Sequence, residues 1–308
     1  MRGTRTQELG TQNAMSKVSD IFTGALLESL TRFELTVRTL TSSGIRGERR
    51  SRRKGGGTEY ADHREYTHGD DLRRLDWHAL ARLDQMLIRL YAAEETLPLE
   101  VVLDTSASMD FGDPTKYVTA ARIGCVLAQI SLLHATPVMW RFAGGKQLEP
   151  VRLSARNDIG RVLRVLDELQ PDGPCALGET LRRSALHGPR KRSLVVLTDG
   201  YDRAELHPAI RACRAAGTEV YVMLVLSPEE ADPGLRGEFT FIDAESGRES
   251  GIVLDGSTLK RYRKLLAEFR QEWLGFSRAT GTVCMEFSSA QEIGPELFRS
   301  LAQGGLIA

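Results

Sequence analysis

Leu99-Glu100-Val101-Val102-Leu103 is an aliphatic run that stops abruptly at Asp104 and continues as Thr105-Ser106-Ala107-Ser108-Met109. Such a run reads as a buried strand. Asp104 then falls at its carboxyl end, the edge where open α/β sheets place their ligands. Asp104, Ser106 and Ser108 alternate with small residues, so a turning loop can aim all three oxygens at one point. One carboxylate and two hydroxyls are hard donors, suited to Mg2+ or Mn2+ rather than zinc, and so few ligands leave positions open for water or another carboxylate. The competing structural reading is that Asp104 and Ser106 only cap the next helix.

A second run, Ser193-Leu194-Val195-Val196-Leu197-Thr198, ends in Asp199-Gly200. Neighbouring parallel strands lie about 5 Å apart, so Asp199 is expected beside Asp104, on the ion or on its water. Two carboxylates on one edge repel, and a cation between them removes that cost.

The remainder alternates helical and strand patterns, the signature of a doubly wound, mostly parallel sheet with helices on both faces. Helices are expected over 114–134, 158–169, 178–186, 203–216, 258–275 and 291–303, and strands over 138–143, 147–153, 193–198, 219–226 and 283–287. A hairpin is expected from 237–242 and 251–254 across a polar turn. Ser16–Leu40 has apolar residues at helical spacing and should form one amphipathic helix packed on the main domain. Arg46–Gly57 holds six basic residues and three terminal glycines, expected as a mobile loop; no aromatic interleaves it as a base-stacking platform.

The resemblance that narrows these readings rests on two sets of residues. The D-x-S-x-S motif at Asp104–Ser108 and the T-D-G at Thr198–Gly200 resemble the metal-ion-dependent adhesion site (MIDAS) of von Willebrand factor A domains. Upstream, Arg64-Glu65-Tyr66, Gly69-Asp70-Asp71-Leu72-Arg73-Arg74-Leu75-Asp76-Trp77, Ala81-Arg82 and Arg89 are similar to the signature of the DUF58 family. The resemblance implies a three-layer, Rossmann-like sandwich. It also implies a protein-interaction module in which Asp104, Ser106 and Ser108 hold the ion and Asp199 orients its water. The implied partner is a MoxR-type AAA+ ATPase or its client, in the assembly or maturation of bacterial protein complexes. One position departs from the pattern: Cys175, in Asp172-Gly173-Pro174-Cys175, fills the slot where the family's site has a threonine ligand, and a thiol is a poor ligand for Mg2+. Thr180 lies too far along, inside the next helix.

The expected organisation is an N-terminal helix and basic loop over 1–57, the signature segment over 58–97, and the von Willebrand A-like domain with its accessory hairpin over 98–308. Gly69-Asp70-Asp71 should cap a short helix. Arg64 and Arg73 should pair with Asp70, Asp71 or Asp76, which outweighs a metal cluster of His63, His68 and His78. Gln85–Ala92 should be a strand running antiparallel to the Leu99 strand.

Formal net charge is zero, so no global field draws the chain to nucleic acid or membrane. The four cysteines are scattered with no C-x-x-C, which argues for free thiols and against zinc. No apolar run is expected to reach the roughly 18–20 residues that span a bilayer and the N-terminus lacks a signal-peptide core, so a cytoplasmic location is expected. Two other functions stand against the interaction module. One is Mg2+-dependent phosphoryl transfer, for which no general base can be named near Asp104 and Ser106 stands where a second acid is needed. The other is RNA binding through the basic loop.

Overall fold

The aliphatic runs become the centre of one sheet. The computed structural model describes residues 17–36, 53–54, 60–67, 75–93, 97–189, 191–234, 237–245 and 247–308. The chain divides into two compact units, 17–36 with 97–308 apart from Leu97 forming one, and the described residues from 53 to 97 the other.

In the smaller unit, β1 (Arg53–Lys54), β2 (Tyr60–Glu65) and β3 (Leu87–Ala93) form an antiparallel sheet in the order β1-β3-β2. The expectation that the 85–92 strand runs beside the Leu99 strand is therefore corrected. Arg53-Lys54, expected in a loop, pairs with Ala93 and Ala92. The short helix is α2 (Trp77–Leu83), and its cap is Asp76, which accepts the His78 and Ala79 backbone N–H groups. Residues 69–71, the ion pairs expected of Arg64 and Arg73, and the rest of the basic loop lie outside the described residues and side chains.

The larger unit starts with a 3-10 turn at Val18–Ile21 and helix α1 (Gly24–Leu30). The single helix expected over 16–40 is broken because Thr23 begins α1 afresh, its Oγ1 accepting the Leu26 N–H. Val18 and Leu30 are buried in the main core, as the amphipathic pattern requires. The chain then runs antiparallel to its own C-terminus, with Glu34 and Ala308 exchanging both backbone hydrogen bonds.

The sheet is built from β4 (Leu99–Asp104), β5 (Val138–Ala143), β6 (Val151–Leu153), β7 (Ser193–Thr198), β8 (Glu219–Leu226) and β11 (Val283–Ser288), in the order β11-β8-β7-β4-β5-β6. Only β6 is antiparallel to its neighbour. Side chains alternate across it with period two. Val101 and Leu103 of β4 join the core holding α3 (Lys116–Leu133), α4 (Ile159–Glu168) and α9 (Pro295–Gln303). Val102 faces the core of α5 (Leu177–His187), α6 (Arg203–Ala215) and α8 (Gly256–Thr280). This is the expected doubly wound, mostly parallel α/β fold. Burying each aliphatic side chain of β4 contributes about 1.5–3 kcal/mol.

Helix α3 alone, among the described residues, is long and apolar enough to cross a membrane, which the sequence reading did not foresee. It is buried almost all round as the core helix beneath the sheet. The hairpin, β9 (Gly237–Ile242) with β10 (Glu249–Leu254), forms where expected, and a short helix, α7 (Pro228–Ala231), precedes it.

Candidate metal-ion site

β4 and β7 are adjacent and in parallel register, Leu103 opposite Leu197, so Asp104 and Asp199 emerge at the same sheet edge. Four of the residues picked from the sequence form one continuous chain of contacts. Asp104 Oδ1 accepts the Ser106 hydroxyl at 2.6 Å and the Ser106 N–H at 3.0 Å. Ser106 Oγ lies 3.2 Å from Ser108 Oγ, and Ser108 donates to Asp199 Oδ2 at 2.8 Å. Asp104 and Ser106 are fully buried and Asp199 nearly so, while Ser108 is only half-buried and opens the cluster outward.

The third loop is held by backbone contacts. Ala107 N–H donates to the Gly173 carbonyl, Asp172 N–H to the Thr105 carbonyl, and Gly145 N–H to the Asp172 carbonyl. Two positions there require glycine. A Cβ on Gly144 would stand 2.4 Å from the Thr105 carbonyl oxygen, and Gly173 has φ +70° with Gly145 packed against it. This pinning brings Cys175 to the site, its Sγ 3.6 Å from Asp104 Oδ2. Thr180 lies within α5, as expected.

Two participants were not picked from the sequence. Thr198 donates its hydroxyl to Asp104 Oδ2 at 2.7 Å. Lys116, buried at the start of α3, places Nζ 2.9 Å from Asp199 Oδ2 and 2.7 Å from Glu230 Oε1. Its signal was a cation opening a helix whose one other charged residue is Arg122; its partners, 83 and 114 residues away, carry no local signal.

Electrostatically, the Asp104 carboxyl is pushed up to about 6, first by burial and then by the charge of Asp199; hydrogen bonds from Ser106 and Thr198 pull the other way. Burial, then the nearby Asp104 charge, pushes the Cys175 thiol up, which keeps it protonated and a poor ligand.

Residues 62–272 match the family described as "Protein of unknown function DUF58". The chain belongs to the DUF58 family. Its curated relatives include uncharacterized proteins of Mycobacterium tuberculosis and Mycobacterium bovis, each 26% identical over 301 residues covering 92% of this chain and 91% of the relative. Among solved structures, the DUF58 chain is similar to BatB of Bacteroides thetaiotaomicron (13% identity, TM-score 0.40, 68% of this chain and 98% of that one). It is also similar to an aerotolerance-related membrane protein of Bacteroides fragilis (17%, 0.41, 67% and 99%) and to the SpRpn10 VWA domain (18%, 0.33, 42% and 75%).

The DUF58 site meets the donor requirements of a hard divalent cation in part. Asp104, Ser106 and Ser108 present adjacent oxygens, with Asp199 one hydrogen bond further. Two features weaken the fit: Cys175 presents sulfur in place of a hydroxyl, and the Lys116 ammonium already supplies positive charge to Asp199. Asp104 has no such partner; hydroxyls, an amide and a thiol surround it.

Proposed function

We propose that this chain is a non-catalytic protein-interaction module whose site, Asp104, Ser106 and Ser108 with Asp199 behind them, takes Mg2+ or Mn2+ and through it a carboxylate of another protein. The observation that carries this is the continuous run of oxygen atoms in contact from Asp104 through Ser106 and Ser108 to Asp199 at one sheet edge. The bound ion would supply an electrophilic position for an incoming carboxylate oxygen. The chain's residues do the rest: Asp104 and the two serines orient their oxygens, Thr198 fixes the second Asp104 oxygen, and Lys116 holds Asp199 in place. The family resemblance makes a MoxR-type AAA+ ATPase, or its client, the partner to try first, in the cytoplasm.

Catalysis has less support. Among the described residues, no histidine stands at the site, and the lysine there is an ion-paired ammonium rather than a free base. RNA binding would rest on the 46–54 segment, most of which lies outside the described residues.

The deciding experiment is a pull-down of the full chain with a MoxR-type ATPase, in Mg2+ and in EDTA, for wild type and Asp104→Ala. Capture is expected only for wild type with Mg2+. Capture that survives both EDTA and Asp104→Ala would overturn metal-gated recognition.

A further inference from the structure

Helices α6 and α8 leave an open groove of about 590 Å3 between them, lined by Arg203, Ala204, His207, Pro208 and Arg211 of α6 and Glu272 of α8. Its His207 wall is backed by aromatic rings. The imidazole lies flat on Phe276, with centroids 4.0 Å apart and an interplanar angle of 7°, and meets Trp273 edge-on at 4.7 Å. Trp273 is anchored in turn, its indole N–H donating to the Gly200 carbonyl at 3.3 Å. Burial lowers the proton affinity of His207, so the ring is neutral at pH 7. Its Nε2 is shielded from solvent and has no hydrogen-bond partner among the described residues. Arg203, His207 and Arg211 follow one another at four-residue intervals and so share one face of α6. Both guanidinium groups lie over rings, Arg203 at 5.3 Å from the Phe269 centroid and Arg211 at 5.5 Å from that of Phe276. Their charges are answered differently. Arg203 Nη1 meets Glu272 Oε2 at 2.5 Å, as Arg270 and Arg263 of α8 meet Glu286 and Asp232. Arg211, stacked on Phe276, has no carboxylate partner among the described residues.

We propose that this groove docks an acidic peptide segment of another protein, with one carboxylate on Arg211, a second at Arg203, and an apolar side chain between them against His207 and Pro208. The two arginines are eight residues apart, about 12 Å along a helix. That is beyond the reach of a single carboxylate or phosphate. It matches two acids four residues apart on an extended strand, where the residue midway points the same way. A guanidinium held against a ring keeps its N–H fork for a carboxylate, which it binds in a bidentate manner. The middle of the groove offers no charge to a further anion, since His207 is neutral and Ala204 and Pro208 are apolar, and Glu272 repels one. The evenly spaced phosphates of a nucleic acid fit that pattern less well than two separate carboxylates do. The groove uses none of the candidate cation ligands.

The test measures fluorescence anisotropy of labelled peptides with the full chain in EDTA. One peptide carries Glu-Ser-Leu-Ser-Glu; the control has both acids replaced by Gln. The acidic peptide is expected to bind wild type and Asp104→Ala equally, and the control about tenfold more weakly. Arg211→Gln should weaken the acidic peptide about fivefold to tenfold and leave the control unchanged, while Arg211→Lys, which keeps the charge but not the fork, should weaken it less. Arg211 is exposed, so neither substitution disturbs the core. No binding by wild type, equal binding of the two peptides, or indifference to Arg211→Gln overturns the proposal. Tighter binding of a short single-stranded RNA, lost in Arg211→Gln, overturns it in favour of a phosphate ligand. Because the experiment is run without metal, its failure leaves the cation site standing, and failure of the cation site leaves the groove standing.

Discussion

Glu100 and Asp104 are carboxylates on one strand, four residues apart, both buried, and they are treated in opposite ways. Glu100 meets two guanidinium groups, Arg192 Nε at 2.6 Å and Arg141 Nε at 2.5 Å, and accepts the Ser184 hydroxyl at 2.7 Å. Its charge is answered within the fold. Asp104 meets three hydroxyl or thiol groups and one amide, none of them a cation, and faces a second carboxylate. The Glu100 end is a closed structural network; the Asp104 carboxylate meets no cation among its hydrogen-bond partners, and the proposed ion would supply one.

The largest expected effect breaks the closed end. Arg192→Met removes one guanidinium from a pair in which both partners are almost fully buried and leaves Glu100 half-answered. A loss of about 3–5 kcal/mol is expected, read as a drop in the urea midpoint, because the remaining charge keeps its desolvation cost. A loss under about 1 kcal/mol would mean that Arg141 alone suffices and that the contrast between the two ends is overstated.

The open end should behave in the reverse sense. The folded chain holds the Asp104 proton up to about pH 6, against 3.8 for the ordinary carboxyl. A raised carboxyl makes the unfolded chain the stronger acid, so wild type in EDTA is least penalised below pH 4. It loses stability as pH climbs through 4 to 6 and stays at the lower level above that. The lost amount is about 3 kcal/mol, two pKa units at about 1.4 each. Asp104→Asn carries no such proton. Relative to wild type it should therefore gain that amount between pH 4 and pH 7.5, measured as the difference in urea midpoints, while losing Mn2+ binding. Parallel pH curves for the two proteins would show that Asp104 is already answered in the fold, like Glu100.

The contrast between the ends also marks what a sequence reveals. The strands were legible because a buried parallel strand is a nearly unbroken aliphatic run, as in Val101-Val102-Leu103 and Val195-Val196-Leu197. Asp104 and Asp199 were legible because each run ends in an acid. Lys116 and Thr198 were not, because each acts through a partner whose position only the fold determines. Thr198 reaches Asp104 across 94 residues. The Glu100–Arg192 pair was missed for the same reason: a charged residue inside an aliphatic run gives no hint of its partner. The N-terminal helix was misjudged through a local signal, the capping threonine at position 23, that apolar periodicity does not register.

The smallest expected effect tests whether the Cys175 position limits cation binding at the open end. Cys175 is held by the backbone contacts of its loop with Thr105, Ala107 and Gly145, so its side chain points at Asp104 because the backbone puts it there. Cys175→Thr keeps that backbone and exchanges a protonated thiol for a hydroxyl of similar size. Stability should change by less than about 1 kcal/mol, since the site is half-buried and the volumes nearly match. Mg2+ affinity by calorimetry should rise about threefold to tenfold, the gain of one hard donor partly offset by its desolvation. Restored affinity would mean the loop still has ligating geometry and that sulfur at this one position is what weakens the ion. No gain, with Mg2+ binding intact in wild type, would place the loop's side chain outside the coordination shell.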